Sequence, residues 1–378
     1  MISHLARRNS VVVASLSHTE EEAEAGMALR DYCEDVIAEV LPERIRRMQA
    51  AKALLTTTPS SVAYFWSPAL HRRIKERVLR TRFDVIMVHC SSVAQYVMDY
   101  RDCFRILDYG DLDSVKWAEY SRWKPFPFSV GYALESRKLR KYEHDLALRF
   151  HRCSVTTQRE KESFETLRVP TPCNVIPNGV DTSYFRRTWN PSGSRPVVIF
   201  LGRMDYFPNI DGVCSFVKEV LPLIRKRMPN VEFRIVGSNP SSKIREMAKI
   251  PGVLVTGHVP DVRHYANDAA VSVAPLRVAR GTQNKILESM AMGIPVVASP
   301  QAAKGIDAVP GRDLLVANNT ESFAKQVINL LENRNMGNRL SEAALKQVQT
   351  AHRWSTSMGT LDRIVAAASS TENWSLVL

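Results

Sequence analysis

The sequence predicts an α/β protein built from two doubly wound, parallel-sheet domains that face a cleft. Two observations carry that prediction. The second half alternates short apolar runs with amphipathic stretches, the mark of a parallel sheet covered by helices, and the first half repeats the theme less cleanly. Between them, Arg186-Arg-Thr-Trp-Asn-Pro-Ser-Gly-Ser-Arg-Pro196 breaks the pattern with Pro, Gly and Ser. At 378 residues the chain is long enough for two domains. They are placed at residues 1–188 and 189–352, and in the remaining tail, 353–378, Trp354–Ala368 reads as a helix. Ligands of such folds bind at the C-terminal ends of the strands.

In the second half, strands are expected at Val197–Leu201, Glu232–Val236, Val253–Thr256, Val271–Ala274, Pro295–Ala298 and Leu314–Ala317. Helices fall between them, near Ile210–Met228, Ser242–Ala248, Val262–Ala266, Gln283–Met292 and Ser322–Glu332. In the first half, strands are expected at Ser10–Leu16, Val36–Val40, Asp84–His89, Phe104–Leu107, Ser154–Thr157 and Asn174–Ile176. A long helix is expected from Tyr132 to Arg152, with Leu139, Leu146 and Phe150 as apolar positions.

Charged residues make up 24% and hydrophobic ones 45%, the balance of a soluble globular protein. No apolar run approaches the ~18 residues of a membrane span, and the N-terminus shows no signal-peptide hydrophobic region. The six cysteines form no C-x-x-C pair, which argues against a zinc site or a disulfide scaffold and for a reducing cytosol. A cytoplasmic protein is therefore expected. Net charge is +12, of which residues 1–185 carry +3 and residues 186–378 carry +9. A basic second half suits a domain that holds a nucleotide diphosphate, and equally a solvated surface. The densest cationic run, Arg72, Arg73, Lys75, Arg77, Arg80 and Arg82, reads as a salt-bridged helix face. Its alternative is attraction to anionic lipid, which would place the protein peripherally at the inner face of the membrane. No aromatic-interleaved basic stripe points to nucleic acid.

The most informative stretch is Ala279-Arg-Gly-Thr-Gln-Asn-Lys-Ile-Leu-Glu-Ser-Met-Ala-Met-Gly-Ile-Pro-Val-Val-Ala-Ser299. It reads as a glycine-bearing loop, a helix opening near Gln283, a stop at Gly293 and a buried strand. Free backbone N–H groups at such a helix start make an anion site. Asn284 and Glu288 stand four apart on one helix face, so a carboxylate lies one turn from that site, an arrangement suited to a ribose carrying a diphosphate. Upstream, Val175-Ile-Pro-Asn-Gly-Val-Asp-Thr-Ser-Tyr-Phe185 predicts an Asn-Gly turn with positive φ after a strand.

Together the two segments resemble the family 4 glycosyltransferases, retaining enzymes of the GT-B fold. The chain is most similar to the bacterial sugar-transferase group found with exopolysaccharide and PEP-CTERM protein-sorting gene clusters. The resemblance implies transfer of a sugar, with retention, from a nucleotide-diphosphate donor to a glycan or lipid-linked acceptor. It also implies a last helix that crosses back onto the first domain. On the donor side it implies Gly202 and Arg203 after the first strand of the second domain, with Gly237, Gly257 and Val259 flanking the base through backbone groups. A second cation of the family pattern falls at Pro208-Asn209 here, and Lys285 is expected to replace it. Gly281, Thr282, Gln283 and Asn284 would meet the diphosphate and Glu288 the ribose. Arg280 stands where the family places a first glutamate, facing the transferred sugar, which reverses the charge there. The expected catalytic set is Asp111, Arg203, Lys285 and Glu288. No cofactor or metal is expected, since cations and a helix terminus would neutralise the departing diphosphate.

On the acceptor side, Leu107-Asp-Tyr-Gly-Asp-Leu-Asp-Ser-Val-Lys-Trp117 places three acids around a glycine after a strand. Asp111 is the first candidate, with Asp108 and Asp113 behind it and His89 as the alternative. Helix capping by Asp113 is the plainer reading. The family opens with a strand and a glycine-rich loop, whereas here Met1–Arg8 is similar to the end of the helix that follows them, and no G-x-G precedes residue 26. The first domain is therefore expected to lack its first strand, leaving unpaired backbone groups. That feature and Arg280 keep a truncated, catalytically impaired, non-enzymatic relative as an alternative, beside a nucleotide-sugar epimerase. A nicotinamide-dependent dehydrogenase is excluded by the lack of G-x-G-x-x-G.

Overall fold

The protein is described by a computed structural model over residues 1–187 and 196–369. Most of the expected linker and the end of the tail lie outside these residues. Two compact units emerge: Met1–Ile176 with the chain from Met358 onward, and Pro177–Ser357. The division falls at 176/177 rather than 188/189. The reason is that Val180 belongs to the core of the second unit, where its N–H donates to His352 O at 2.9 Å.

In the second unit six parallel strands form one sheet in the order β12-β11-β10-β7-β8-β9. They are β7 (Val197–Leu201), β8 (Glu232–Val236), β9 (Val253–Val255), β10 (Val271–Ala274), β11 (Val296–Ala298) and β12 (Leu315–Val316). All five residues of β7 are buried, as expected of a central strand covered on both faces. Phe216 and Phe233 pack with ring centroids 4.7 Å apart beneath that cover. The expected helix Ile210–Met228 is present in three parts: an α-helix Phe207–Ser215, a π turn Phe216–Val220 and an α-helix Leu221–Arg227. Pro222 has no N–H to continue the α ladder, which accounts for the altered turn before it. The helix Arg334–Ala351, opened by Asn333 accepting from Met336 N at 3.0 Å, is an element the sequence pattern did not separate.

In the first unit the parallel strands are β1 (Val12–Ser17), β2 (Asp35–Val40), β3 (Val85–His89), β4 (Phe104–Gly110), β5 (Arg152–Val155) and β6 (Cys173–Val175). Among the described residues they form two sheets rather than one, β1-β2 and β3-β4-β5-β6. Among the described residues no strand pairs between β1 and β3, so there each keeps one unpaired edge. Both sheets nonetheless contribute to one core, in which Ile37 joins Val88, Leu107 and Cys153. A second cluster holds Phe104, Ile106 and Ile176 with Met358, Leu361 and Ile364 of the last helix, Trp354–Ser369.

The long helix runs over Phe128–Ala147, not Tyr132–Arg152. It stops early because Arg152 is already in β5, paired with Ile106. On its buried face Glu143 is fully covered and accepts from Ser114 N at 2.9 Å and from Ser114 Oγ. Burial pushes this carboxyl up to about 7 from 4.5, so the folded state holds its proton more tightly than the unfolded one. Its contribution to stability is therefore present below pH 4.5 and lost as pH rises to about 7. Glu143→Ala should lower unfolding free energy by about 1–3 kcal/mol. Glu143→Gln should reduce the fall in stability between those pH values, as read by urea denaturation at each.

Candidate functional site

In the second unit the site grows from the C-terminal end of β7. Gly202 leaves the strand with φ +152, and a Cβ added to Gly237, at the end of β8, would stand 1.8 Å from Gly202 O. Only glycine at 237 lets the two strand ends touch. Asn209, buried at the start of the next helix, donates from Nδ2 to Arg203 O at 2.8 Å and so fixes the loop. The Arg203 fork lies on Asp205, with Nη2 to Oδ2 at 2.8 Å and Nε to Oδ1 at 3.2 Å. A diphosphate gripped by Arg203 would have to draw it from that carboxylate.

Lys285 reaches the same strand end from the helix Asn284–Ala291. Its Nζ sits 5.6 Å from the Phe200 ring centroid and donates to Gln283 Oε1 at 3.2 Å. Burial lowers Lys285 to about 8, with Glu288 partly opposing the shift. Burial likewise pushes Glu288 up, with Lys285 opposing. A partly hidden cation at the end of β7 and a carboxyl thus lie one helical turn apart, and a bound anion would raise the lysine's pKa again and hold it charged.

The loop before this helix holds Arg280, partly buried, then Gly281. Gln283 Nε2 donates to Arg280 O at 2.9 Å. The N–H groups of Thr282, Gln283 and Asn284 meet no protein acceptor among the described residues. Asn178 Nδ2 donates to Asn284 Oδ1 at 3.2 Å, which brings the Pro-Asn-Gly segment to the helix start. That segment departs from expectation, since neither Asn178 nor Gly179 has positive φ. Gly179 is required instead for close approach: a Cβ there would stand 2.6 Å from Trp354 N. Gly257 follows β9, and Val259 packs its side chain on a small core cluster with Val197 and Val236, leaving its backbone to the loop.

In the first unit the candidates gather at the C-terminal ends of β3, β4 and β5. Asp108, expected to face an acceptor, is only 5% exposed. It accepts from His89 Nδ1 and Ser154 Oγ, each at 2.8 Å, and from Gly110 N at 3.3 Å. Asp108 therefore positions His89, whose side chain is 68% exposed. The hydrogen bond to Asp108, with help from Cys90, raises the His89 imidazole to about 10, so it is a cation at neutral pH. Asp111 is partly buried and accepts from Thr156 Oγ1 at 2.8 Å. Asp113 is not the helix cap; the cap is Leu112, and Asp113 pairs with Lys116 in the first turn. In Asp108→Asn the His89 imidazole should fall toward its ordinary 6.5, read by NMR titration of its ring protons. An unchanged midpoint would remove Asp108 from that role.

The positioning groups Asp205 and Ser154 were not singled out by sequence, whereas Asn178 was read only as a turn residue and Asn209 only as standing where a second cation was expected. The basic helix Pro68–Arg80 is partly committed: Arg73 pairs with Glu39, and Arg77 with Glu34 and Asp35. Among the described residues no group of three or more His, Cys, Asp or Glu side chains could hold a metal ion. No helix there is long and apolar enough to cross a membrane.

Residues 195–333 match the family described as "Glycosyl transferases group 1". A phosphatidyl-myo-inositol mannosyltransferase of Mycolicibacterium smegmatis is 28% identical over 304 residues, 77% of this chain and 73% of that protein. An uncharacterised 44.6 kDa protein in the cps region of Klebsiella pneumoniae is 24% identical over 144 residues, 36% of this chain. The match spans only 37% of that Klebsiella protein's length. Among solved structures, Anabaena Alr3699/HepE in complex with UDP-glucose aligns with a TM-score of 0.67 at 12% identity, over 94% of this chain and 99% of that one. At that identity the likeness concerns the fold alone.

Proposed function

Starting from a family 4-like glycosyltransferase of the GT-B fold, we propose that the chain moves a sugar, with retention, from a nucleoside-diphosphate donor to a glycan or lipid-linked acceptor. One observation carries the donor side. Arg203, Lys285, the N–H groups of Thr282–Asn284, which meet no acceptor among the described residues, and the Glu288 carboxyl all belong to elements that meet at the C-terminal end of β7. Two cations and a helix start suit a departing diphosphate, and a carboxyl one turn on suits a ribose diol. No metal is invoked, because these groups supply the neutralising charge. Gly237, Gly257 and Val259 flank the base, and Arg280 faces the transferred sugar or its phosphate.

The acceptor belongs to the first unit, with Asp111 and Asp113 accepting hydroxyl hydrogen bonds and His89 donating one. The cps-region relative suits a role in exopolysaccharide or another cell-surface glycan. The mannosyltransferase relative, by its name, suits a lipid-borne acceptor. The UDP-glucose in the Anabaena neighbour makes UDP the first nucleotide to try.

Calorimetric titration with UDP, GDP and ADP, without added metal, tests the reading. Saturable binding of one nucleotide is expected, weakened about tenfold or more in Arg203→Ala and in Glu288→Ala. A folded chain that binds none of the three would overturn the donor site. Binding without sugar transfer would favour the non-catalytic alternative, for which Arg280 in place of a glutamate is the specific observation. Release of a free or epimerised sugar without an acceptor would favour the epimerase.

A further inference from the structure

The helices Asp113–Trp123 and Phe128–Ala147 form a hairpin whose connection presents apolar side chains to solvent. Phe126 is 82% exposed, and Trp123, Phe128, Val130 and Leu134 are also exposed. Leu55, 94% exposed, lies in a loop that this helix holds: Lys138 Nζ donates to Ala53 O at 2.9 Å and Ser60 N to Glu135 at 2.9 Å. The hairpin is braced from within, with Trp117 and Tyr132 stacked at 4.9 Å. Exposed apolar side chains gathered on one turn mark a contact site. Charge then selects the partner. Between residues 120 and 142 there are six Lys/Arg and one acid, and that acid, Glu135, is buried. Arg137 and Lys141 continue the exposed ridge that Val130 and Leu134 begin.

Aromatic and leucine side chains at a rigid turn, backed by cations, match the boundary of an anionic bilayer, where rings sit among headgroups and cations among phosphates. Two copies of this surface facing each other would repel. We propose that the Trp123–Leu134 turn is the surface by which this chain docks on an anionic membrane, in place of the basic helix Pro68–Arg80. This deepens the acceptor reading and rests on it for its purpose. The helix Asp113–Trp123 is 11 residues long, so the docked turn would hold Asp111 and Asp113 about 16 Å away along its axis. That is within reach of a phosphate-linked sugar standing on a lipid.

The test is co-sedimentation of the full chain with vesicles of phosphatidylcholine and phosphatidylglycerol, against phosphatidylcholine alone. Wild type should bind the anionic vesicles, and the double variant Phe126→Ser/Phe128→Ser should bind about tenfold less or not at all. Arg72→Gln/Lys75→Gln should bind like wild type. Full binding by the double variant, loss in the Arg72/Lys75 variant alone, or no binding by wild type would overturn the proposal. So would a wild-type dimer in light scattering that the double variant dissolves, since the patch would then be a self-interface. Nucleotide titration of the same samples keeps the readings apart. Vesicle binding without nucleotide binding would leave the docking surface standing and remove the donor site.

Discussion

Lys285→Ala should bind the donor nucleoside diphosphate about 10- to 100-fold more weakly than the wild-type chain, the loss expected of a charge-assisted hydrogen bond in a partly buried site. The pH dependence separates this from a packing defect. Burial lowers Lys285 to about 8 in the folded protein from 10.5, so between those values the unfolded chain carries more protons and stability rises with pH. Binding runs the other way. A diphosphate favours the charged ammonium, so complex formation takes up a proton near pH 8 and affinity falls as pH rises through that value. Calorimetry in buffers of different ionisation enthalpy reads the proton directly. Lys285→Arg, charged throughout, should keep measurable affinity and lose the proton uptake. An identical proton uptake in wild type and Lys285→Arg would mean that another group titrates.

The second large effect is structural. Gly237→Ala places a Cβ 1.8 Å from the Gly202 carbonyl oxygen, at a φ of +152 that side-chain-bearing residues rarely adopt. Neither partner is a flexible side chain, so β7 or β8 must shift. A loss of about 3–5 kcal/mol is expected, with nucleotide binding abolished. Gly293→Ala is the control, for φ there is +63 but nothing lies within 4 Å of the new Cβ, and about 1–2 kcal/mol is the expected cost. Thermal unfolding of both variants decides the matter. Equal losses would attribute the effect to φ alone rather than to the touching strand ends.

Local pattern made much of this protein legible. Runs such as Val197–Leu201 announced strands because a strand buried on both faces needs nothing but apolar residues. The stretch from Gly281 to Ala298 announced loop, helix and strand because its glycines, its helix-spaced apolar residues and its closing Val-Val-Ala are short-range signals. The same short range explains the misses. Pattern could not end the long helix at Ala147, since Phe150 keeps the apolar spacing while strand pairing claims Arg152. Nor could it divide the chain at 176/177, where the contacts of Val180 decide.

Within the site, residue types were readable but their states were not. Glycines, the Asn-Lys-Ile-Leu-Glu helix and the acid cluster stand in the sequence. The tertiary structure alone put Lys285 over Phe200, sealed Asp108 beneath His89, held Arg203 on Asp205 and let Asn178 reach Asn284. Each of those pairings, apart from Arg203 with Asp205, joins residues far apart in the chain. Charge state, too, follows from who is buried with whom. Propensity and spacing act over a few residues, whereas desolvation and hydrogen-bond partnership are properties of the folded neighbourhood.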